Sequence, residues 1–281
     1  MIVGDVRDRA VLAQGIAGAH TVLHLAAYAR AWSRHPDDFM SVNVEAVRTL
    51  LELAAREQVG RLVHVSTILT LPPFQPAPVD GRSRLPTWYE RTKREGESLV
   101  EAYAAAGRHA VIVHPTRVYG PGPLTDANGA TKAVDLYLRG RLRVRVADRD
   151  VLGNYVHVDD VATGILLAGT RGRSGAHYIL GGENASLRDV FDLASRITGI
   201  RRWVVPLPPG TALAVARAAE LWGALSGNCF ITPGWVRVFL EDRRADIAPA
   251  CEDLGYQPRP LAEGMRETLT WLAWRGNGGQ P

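Results

Sequence analysis

With 281 residues, 46% hydrophobic and 22% charged, the chain has the composition of a globular protein able to bury a full core in one large or two closely joined domains. A net charge of +4, with no basic run interleaved with aromatics, argues against nucleic acid as a partner. Cys229 and Cys251 match no metal spacing, charge appears within the first eight residues, and no uncharged apolar stretch is long enough for a bilayer, so a soluble, cytoplasmic protein with reduced thiols and no transmembrane segment is expected.

The opening, Met1-Ile2-Val3-Gly4-Asp5-Val6, reads as a strand followed by an acidic turn. Thr21-Val22-Leu23-His24-Leu25-Ala26-Ala27 is the next apolar run. A helix is predicted from about Pro36 to Glu57, with Val44, Val47, Leu50, Leu51 and Ala54 at helical spacing. The run Arg61–Thr67, a helix beginning near Trp88, and the run Val111–Pro115 follow. Near-continuous apolar strands separated by helices indicate a parallel sheet covered on both faces. After Tyr119-Gly120-Pro121-Gly122-Pro123 the rhythm changes. A helix around Ala130–Leu138 leads to Arg141–Arg145, whose alternation predicts a strand with one basic face. Tyr155-Val156-His157-Val158 is a strand that stops at Asp159, the expected N-cap of a helix running to about Leu167. Tyr178–Gly182 reads as a short strand, with Ser186 capping the next helix. Pro206–Pro209 introduces a helix through Leu225, and a last helix, Leu261–Trp274, precedes a tail expected to fray.

Within this order Tyr89 and Lys93 stand four residues apart, on one face of their helix. An ammonium there can stabilise a phenolate and make a tyrosine a working acid or base near neutral pH. Thr67 closes the strand before, and another strand follows the helix. Thr67, Tyr89 and Lys93 therefore arrive in the order of an oxidoreductase triad on a parallel sheet. A glycine-rich turn between a strand and a helix, whose amides would reach a dinucleotide's pyrophosphate, is missing from every suitable place.

From Gly4 onward the chain resembles the extended short-chain dehydrogenase/reductase family, also called the NAD-dependent epimerase/dehydratase family. The resemblance rests on Gly4-Asp5, His24-Leu25-Ala26-Ala27, Asn43-Val44, Val65-Ser66-Thr67, Tyr89 with Lys93, Pro115-Thr116-Arg117-Val118-Tyr119-Gly120-Pro121-Gly122, Val156-His157-Val158-Asp159-Asp160, Leu254–Pro258 and Gly264 with Trp271. Ala27–Trp32 and Leu180–Asn184 are most similar to dihydroflavonol-reductase-like proteins and hopanoid-associated sugar epimerases. The resemblance implies an α/β fold: a Rossmann-like doubly wound parallel sheet, N-terminally incomplete, with a smaller mixed α/β C-terminal substrate domain. Residues 1–119 would form the partial dinucleotide-binding domain and 120–281 the substrate region, with 151–180 partly returning to the first sheet.

By the same resemblance Tyr89 is the catalytic acid/base, Lys93 lowers its pKa and holds the nicotinamide ribose, and Thr67 bonds the reacting oxygen. Ser66 lines the nicotinamide pocket, Asp5 and Val6 meet the adenine, Ala26 and Ala27 lie along the cofactor, and Pro115 and Val118 border the carboxamide. The implied cofactor is NAD or NADP, the partner a small-molecule carbonyl or alcohol, and the assembly a homodimer. Chemistry agrees, because hydride transfer to a carbonyl leaves an alkoxide that needs a proton and a hydrogen-bond donor.

Two departures bear on this expectation. Without the glycine-rich turn, about three charge-assisted bonds to phosphate are lost, or ~4–5 kcal/mol. Either the reading frame starts too far downstream or the lineage discarded its cofactor; the intact triad favours the former. The second departure is Gly153, where nucleotide-sugar enzymes of the family carry an arginine, which argues against a nucleotide-diphosphate sugar. Trp32, Leu221, Trp222 and Leu225 are expected to line a pocket for an apolar ligand, with the helix Thr211–Leu225 as a lid.

Blander roles compete at several positions. Asp5 could simply open a helix, and Thr67 could only satisfy backbone groups. His24, His64 and His114 lie at similar places on three strands, but with no carboxylate or cysteine to complement them they read as core histidines rather than metal ligands. Arg141, Arg143 and Arg145 read as a solvated strand edge. The reading is an NAD(P)-dependent oxidoreductase acting on a carbonyl or secondary alcohol. Its alternatives are a sugar epimerase or dehydratase, a cofactor-free lyase or isomerase, and a non-catalytic dinucleotide sensor.

Overall fold

The computed structural model describes residues 1–74, 87–125, 128–146, 151–227, 229 and 231–276. The tail 277–281, expected above to fray, lies outside these residues. The first layer begins with α1 (Arg9–Ile16), β1 (Thr21–His24), α2 (Asp37–Met40) and α3 (Ala46–Arg56), the last two joined by a π-helical turn at Ser41–Glu45. Next come β2 (Arg61–Val65), α4 (Trp88–Ala105), β3 (Ala110–Pro115) and β4 (Arg117–Tyr119). The second half holds α5 (Gly129–Leu138), β5 (Val144–Val146), β6 (Leu152–His157), α6 (Val158–Arg171), β7 (His177–Leu180), β8 (Glu183–Ser186) and α7 (Leu187–Thr198). It closes with β9 (Val205–Leu207), α8 (Pro209–Ser226), α9 (Pro233–Leu240), α10 (Ala248–Leu254) and α11 (Leu261–Gly276).

The main sheet is parallel, in the order β1-β2-β3-β7. Successive side chains of a strand point to opposite faces, and β3 obeys this rule on both. Ala110 and Ile112 join Val47, Leu50, Leu51 and Ala54 of α3 and Val100 and Tyr103 of α4 in one core. Val111 and Val113 face Ile165 and Ala168 of α6 and Ala250 and Leu254 of α10 in the other. The expected doubly covered α/β sheet is thus present. A second sheet, β4-β6-β8, carries a third core built with α5, α7 and α11, and β5 pairs with β9 beside α8 and α9.

Several local expectations are corrected. Met1–Asp5 forms no strand: Ile2 and Val3 are exposed, and a strand exists only through a partner's ladder. Asp8, not Asp5, caps α1, accepting from the amides of Ala10 and Val11. His157, not Asp159, caps α6, so that helix begins two residues earlier than predicted and runs on to Arg171. The basic run is a strand only at Val144–Val146. Ser186 does cap α7, in a reciprocal capping box with Asp189.

The placement of α4 depends on a close approach. A Cβ at Gly96 would lie 2.6 Å from the carbonyl oxygen of Asn43 in the π-helical turn. Gly96→Ala is therefore expected to destabilise by about 1–3 kcal/mol, because backbone cannot give way as a side-chain tip can. Denaturant unfolding checks this, and a loss under about 0.5 kcal/mol would show that α4 can shift.

Candidate active site

The C-terminal ends of parallel strands share one edge, where open α/β sheets bind ligands. Here that edge carries Ala26 and Ala27 after β1, Ser66 and Thr67 after β2, and Pro115 at the end of β3. The N-terminus of α4 enters beside it through a capping box: Thr87 accepts from the Glu90 amide while Glu90 accepts from the Thr87 amide. That cap fixes the first turn, and with it Tyr89.

Tyr89 is half-buried. Burial pushes its phenol up to about 12, while a hydrogen bond with the Thr67 side chain pulls the other way and the nearby Glu90 and Glu97 push it further up. The phenol is thus neutral, a proton donor rather than a phenolate. Thr67 Oγ also caps the short 3₁₀ turn Ile68–Thr70, accepting from the Leu69 amide at 3.3 Å. The blander reading of Thr67 is thus met, and a hydroxyl that accepts from one partner can still donate to another.

Lys93 is fully buried. Its ammonium donates to Val65 O at 2.8 Å and lies 3.4 Å from His64 Nε2. A shared helix face brings two residues near each other, but a long lysine stem chooses its own acceptors. Two of three ammonium protons are engaged, leaving one for another acceptor. Burial lowers Lys93 from 10.5 to about 8, opposed by Glu97. Between those values the unfolded chain binds the extra proton, so stability rises with pH through that window. The stability of wild type relative to Lys93→Met is expected to increase by about 3 kcal/mol from pH ~7 to ~11, measured by urea unfolding. A difference flat with pH would contradict a charged, buried Lys93.

The core histidines divide into two groups. His24 and His64 share a 3.0 Å Nδ1–Nδ1 hydrogen bond, and His64 meets Lys93. His114 donates from Nδ1 to Thr67 O at 3.0 Å and bonds His177 through Nε2 at 3.0 Å. The carboxylate that sequence reasoning found missing comes from α4: Glu97 is fully buried, 3.7 Å from His114 Nδ1. Glu97 also accepts from the Ser66 hydroxyl and from Arg94 at 2.8 Å. The Ser66 hydroxyl is therefore turned toward Glu97.

Other expected cofactor contacts are more dispersed. Val118, in β4, is partly buried, as are Ala26 and Ala27. Asp5 is exposed and bound to Arg7 by a 2.6 Å ion pair, which holds its carboxyl down at about 2. Arg7 also reaches Asp38 at 3.6 Å, so Asp5 and Val6 sit by the start of α2. The missing side chain of Gly4 leaves room for Val11, whose Cγ1 would lie 2.5 Å from an added Cβ. The residues present suit the nicotinamide and ribose end of a dinucleotide better than its pyrophosphate.

Sequence reasoning missed three supports of the site. Asn43 ties the loop after β1 to α4, accepting from the Tyr28 amide at 2.8 Å and donating to Thr92 Oγ1 at 3.0 Å. Arg243, buried, donates to the carbonyls of Ile68 and Leu71 at 3.1 Å and so clamps the turn after Thr67. The third is Arg117. Its guanidinium fills the space above Gly153, where an added Cβ would lie 2.6 Å from Cζ. Gly153 is thus overlain by a guanidinium from the neighbouring strand. Leu221, Trp222 and Leu225, expected to line a pocket, are exposed on α8, whose end is touched by Arg34 through Leu225 O at 3.4 Å.

A parallel sheet with a Tyr and a Lys on the helix at its C-terminal edge defines the class, and the family comparison agrees. The model of the NAD dependent epimerase/dehydratase family matches residues 1–181, and the chain belongs to that family. Among curated relatives, it is 30% identical to the 4-hydroxy-2-methyl-3-oxo-4-farnesyl-3,4-dihydroquinoline-1-oxide ketoreductase of Stigmatella aurantiaca, over 100% of this chain and 85% of the relative. It is 26% identical to sterol demethylase protein B of Methylococcus capsulatus, over 97% of this chain and 84% of the relative. The crystal structure of gox2253 superposes with a TM-score of 0.79 at 29% identity, covering 99% of this chain and 84% of that one. Family membership supports an NAD-dependent oxidoreductase, epimerase or dehydratase activity. No helix among the described residues is long and apolar enough to cross a membrane.

Proposed function

We propose that the chain is an NAD(P)-dependent reductase or dehydrogenase that interconverts a ketone and a secondary alcohol on a largely apolar substrate. The observation that carries this reading is the placement of Tyr89, in the capped first turn of α4, beside Thr67 at the strand-end edge where open α/β sheets bind ligands. A carbonyl oxygen placed between these two hydroxyls accepts a hydrogen bond from Thr67 and a proton from Tyr89 as it becomes an alkoxide. Lys93, fixed by Val65 O, keeps one N–H for the ribose and keeps positive charge close to the site. Ala26, Ala27, Pro115 and Val118 would border the nicotinamide half, and Asp5 with Val6 the adenine. The bound nicotinamide would supply or accept the hydride. The ketoreductase relative supports the carbonyl chemistry, and both curated relatives are named for substrates with large hydrocarbon parts. Oxidation of NADH or NADPH, followed at 340 nm against a panel of cyclic and steroidal ketones, tests the proposal. Turnover confined to sugar nucleotides would replace it with the epimerase or dehydratase reading.

A further inference from the structure

Arg117 is a half-buried cation beside the site edge. It projects from β4 immediately beyond Pro115, and its register partner in β6 is Tyr155. Gly153 lies two residues before Tyr155 and so on the same face. The guanidinium uses that face: Cζ stands 5.5 Å from the ring centre of Tyr155 and 5.9 Å from that of Phe239. Nη1 donates to Tyr155 Oη at 3.1 Å. Nη2 is buried and makes no hydrogen bond. Among the described residues no carboxylate pairs with this guanidinium.

Such an arrangement is costly in the free protein. Buried polar groups are almost always satisfied, so a buried N–H edge left without an acceptor on a half-buried guanidinium is unusual. The aromatic rings soften the loss of water but accept no N–H in its plane. An open guanidinium edge beside a site suits an oxyanion, which can take two parallel N–H bonds from it. The glycine opposite is what lets the guanidinium lie flat against the sheet beside the site edge.

We propose that Arg117 binds an anionic oxygen group of the substrate, a carboxylate or a phosphate, through its Nη2 protons. Tyr155 and Phe239 flank the adjoining carbon skeleton. The substrate class is thereby narrowed from an apolar ketone or alcohol to one that bears an acid group. This meaning rests on the oxidoreductase reading above, whereas the anion site itself does not.

The test is equilibrium titration at fixed ionic strength with three probes of one shape: naphthalene-2-carboxylate, 2-naphthyl phosphate and 2-naphthylmethanol. Wild type is expected to prefer one anion over the neutral alcohol by about tenfold or more, as a charged hydrogen bond confers. The better anion identifies the source. Arg117→Met is expected to abolish the preference while raising the melting midpoint by about 2–4 °C, since it removes a buried N–H that has no acceptor among the described residues. Gly153→Ala, which keeps the charge but pushes the guanidinium aside, is expected to weaken anion binding several-fold. Equal binding of all three probes by wild type overturns the proposal, as does an Arg117→Met protein that keeps the preference. If that variant does not fold, Arg117→Lys and Gly153→Ala decide: loss of the preference in Gly153→Ala with a reduced one in Arg117→Lys supports the proposal, and wild-type preference in both overturns it. These titrations involve no nicotinamide and no turnover, so they stand or fall separately from the role of Tyr89.

Discussion

Tyr89→Phe is expected to lower turnover by about 10²–10⁴-fold while leaving the fold intact. The substitution removes one oxygen and keeps the ring that packs at the start of α4. What disappears is a proton held where a carbonyl oxygen would become an alkoxide. The donors around it offer no replacement. Thr67 Oγ is no acid near neutral pH, and its position is set by the turn it caps. Lys93 points to Val65 O and His64, and His64 is itself held well below its usual range by full burial and by the positive Lys93. Steady-state rates decide the matter alongside a thermal melt that confirms folding. Retention of more than a tenth of the activity removes Tyr89 from the mechanism.

The second large effect concerns the cofactor. The 281-residue chain is expected to bind NAD(P) about a thousand-fold more weakly than a protein with an amide cradle for the pyrophosphate. About three charge-assisted bonds at ~1.5 kcal/mol each amount to ~4–5 kcal/mol. Gly4, the glycine nearest the opening, spends its missing side chain on Val11. Asp5 is already satisfied by Arg7, so the adenine end offers little in compensation. Calorimetric titration with NADH and NADPH measures the outcome. Low-micromolar affinity would show that other amides, or a second copy of the chain, complete the cradle.

Local signals served well where the chain obeys a period. The spacing of Val47, Leu50, Leu51 and Ala54 placed α3, and the alternation of apolar runs with helices placed β1, β2 and β3, three of the four strands of the main sheet. Thr67, Tyr89 and Lys93 were legible for the same reason, since each sits at a predictable point of a strand or a helix. What was not legible depends on partners distant in the chain. Ile2 and Val3 have strand-forming side chains, but no ladder reaches them. The direction of the Lys93 ammonium is chosen by a carbonyl 28 residues away. Glu97 meets His114 only because α4 crosses β3, and so the carboxylate complement of a strand histidine was invisible in sequence spacing. Gly153 looked like a lost charge until β4 paired with β6 and laid Arg117 over it. A signal was available there: an arginine inside the Pro115–Gly122 motif and a glycine on a neighbouring strand are complementary in size. Only the register connects them.

The central claim is that Tyr89 gives a proton to an oxygen while a hydride passes between nicotinamide and the carbon that bears it. Its most direct test is reduction of an apolar keto acid with 4-deuterated NADH or NADPH at saturating cofactor, followed by mass and NMR analysis of the alcohol. Deuterium on the carbinol carbon with wild type, and none above background with Tyr89→Phe, is the predicted result. Product carrying solvent hydrogen at that carbon, or conversion that proceeds without nicotinamide, would contradict it.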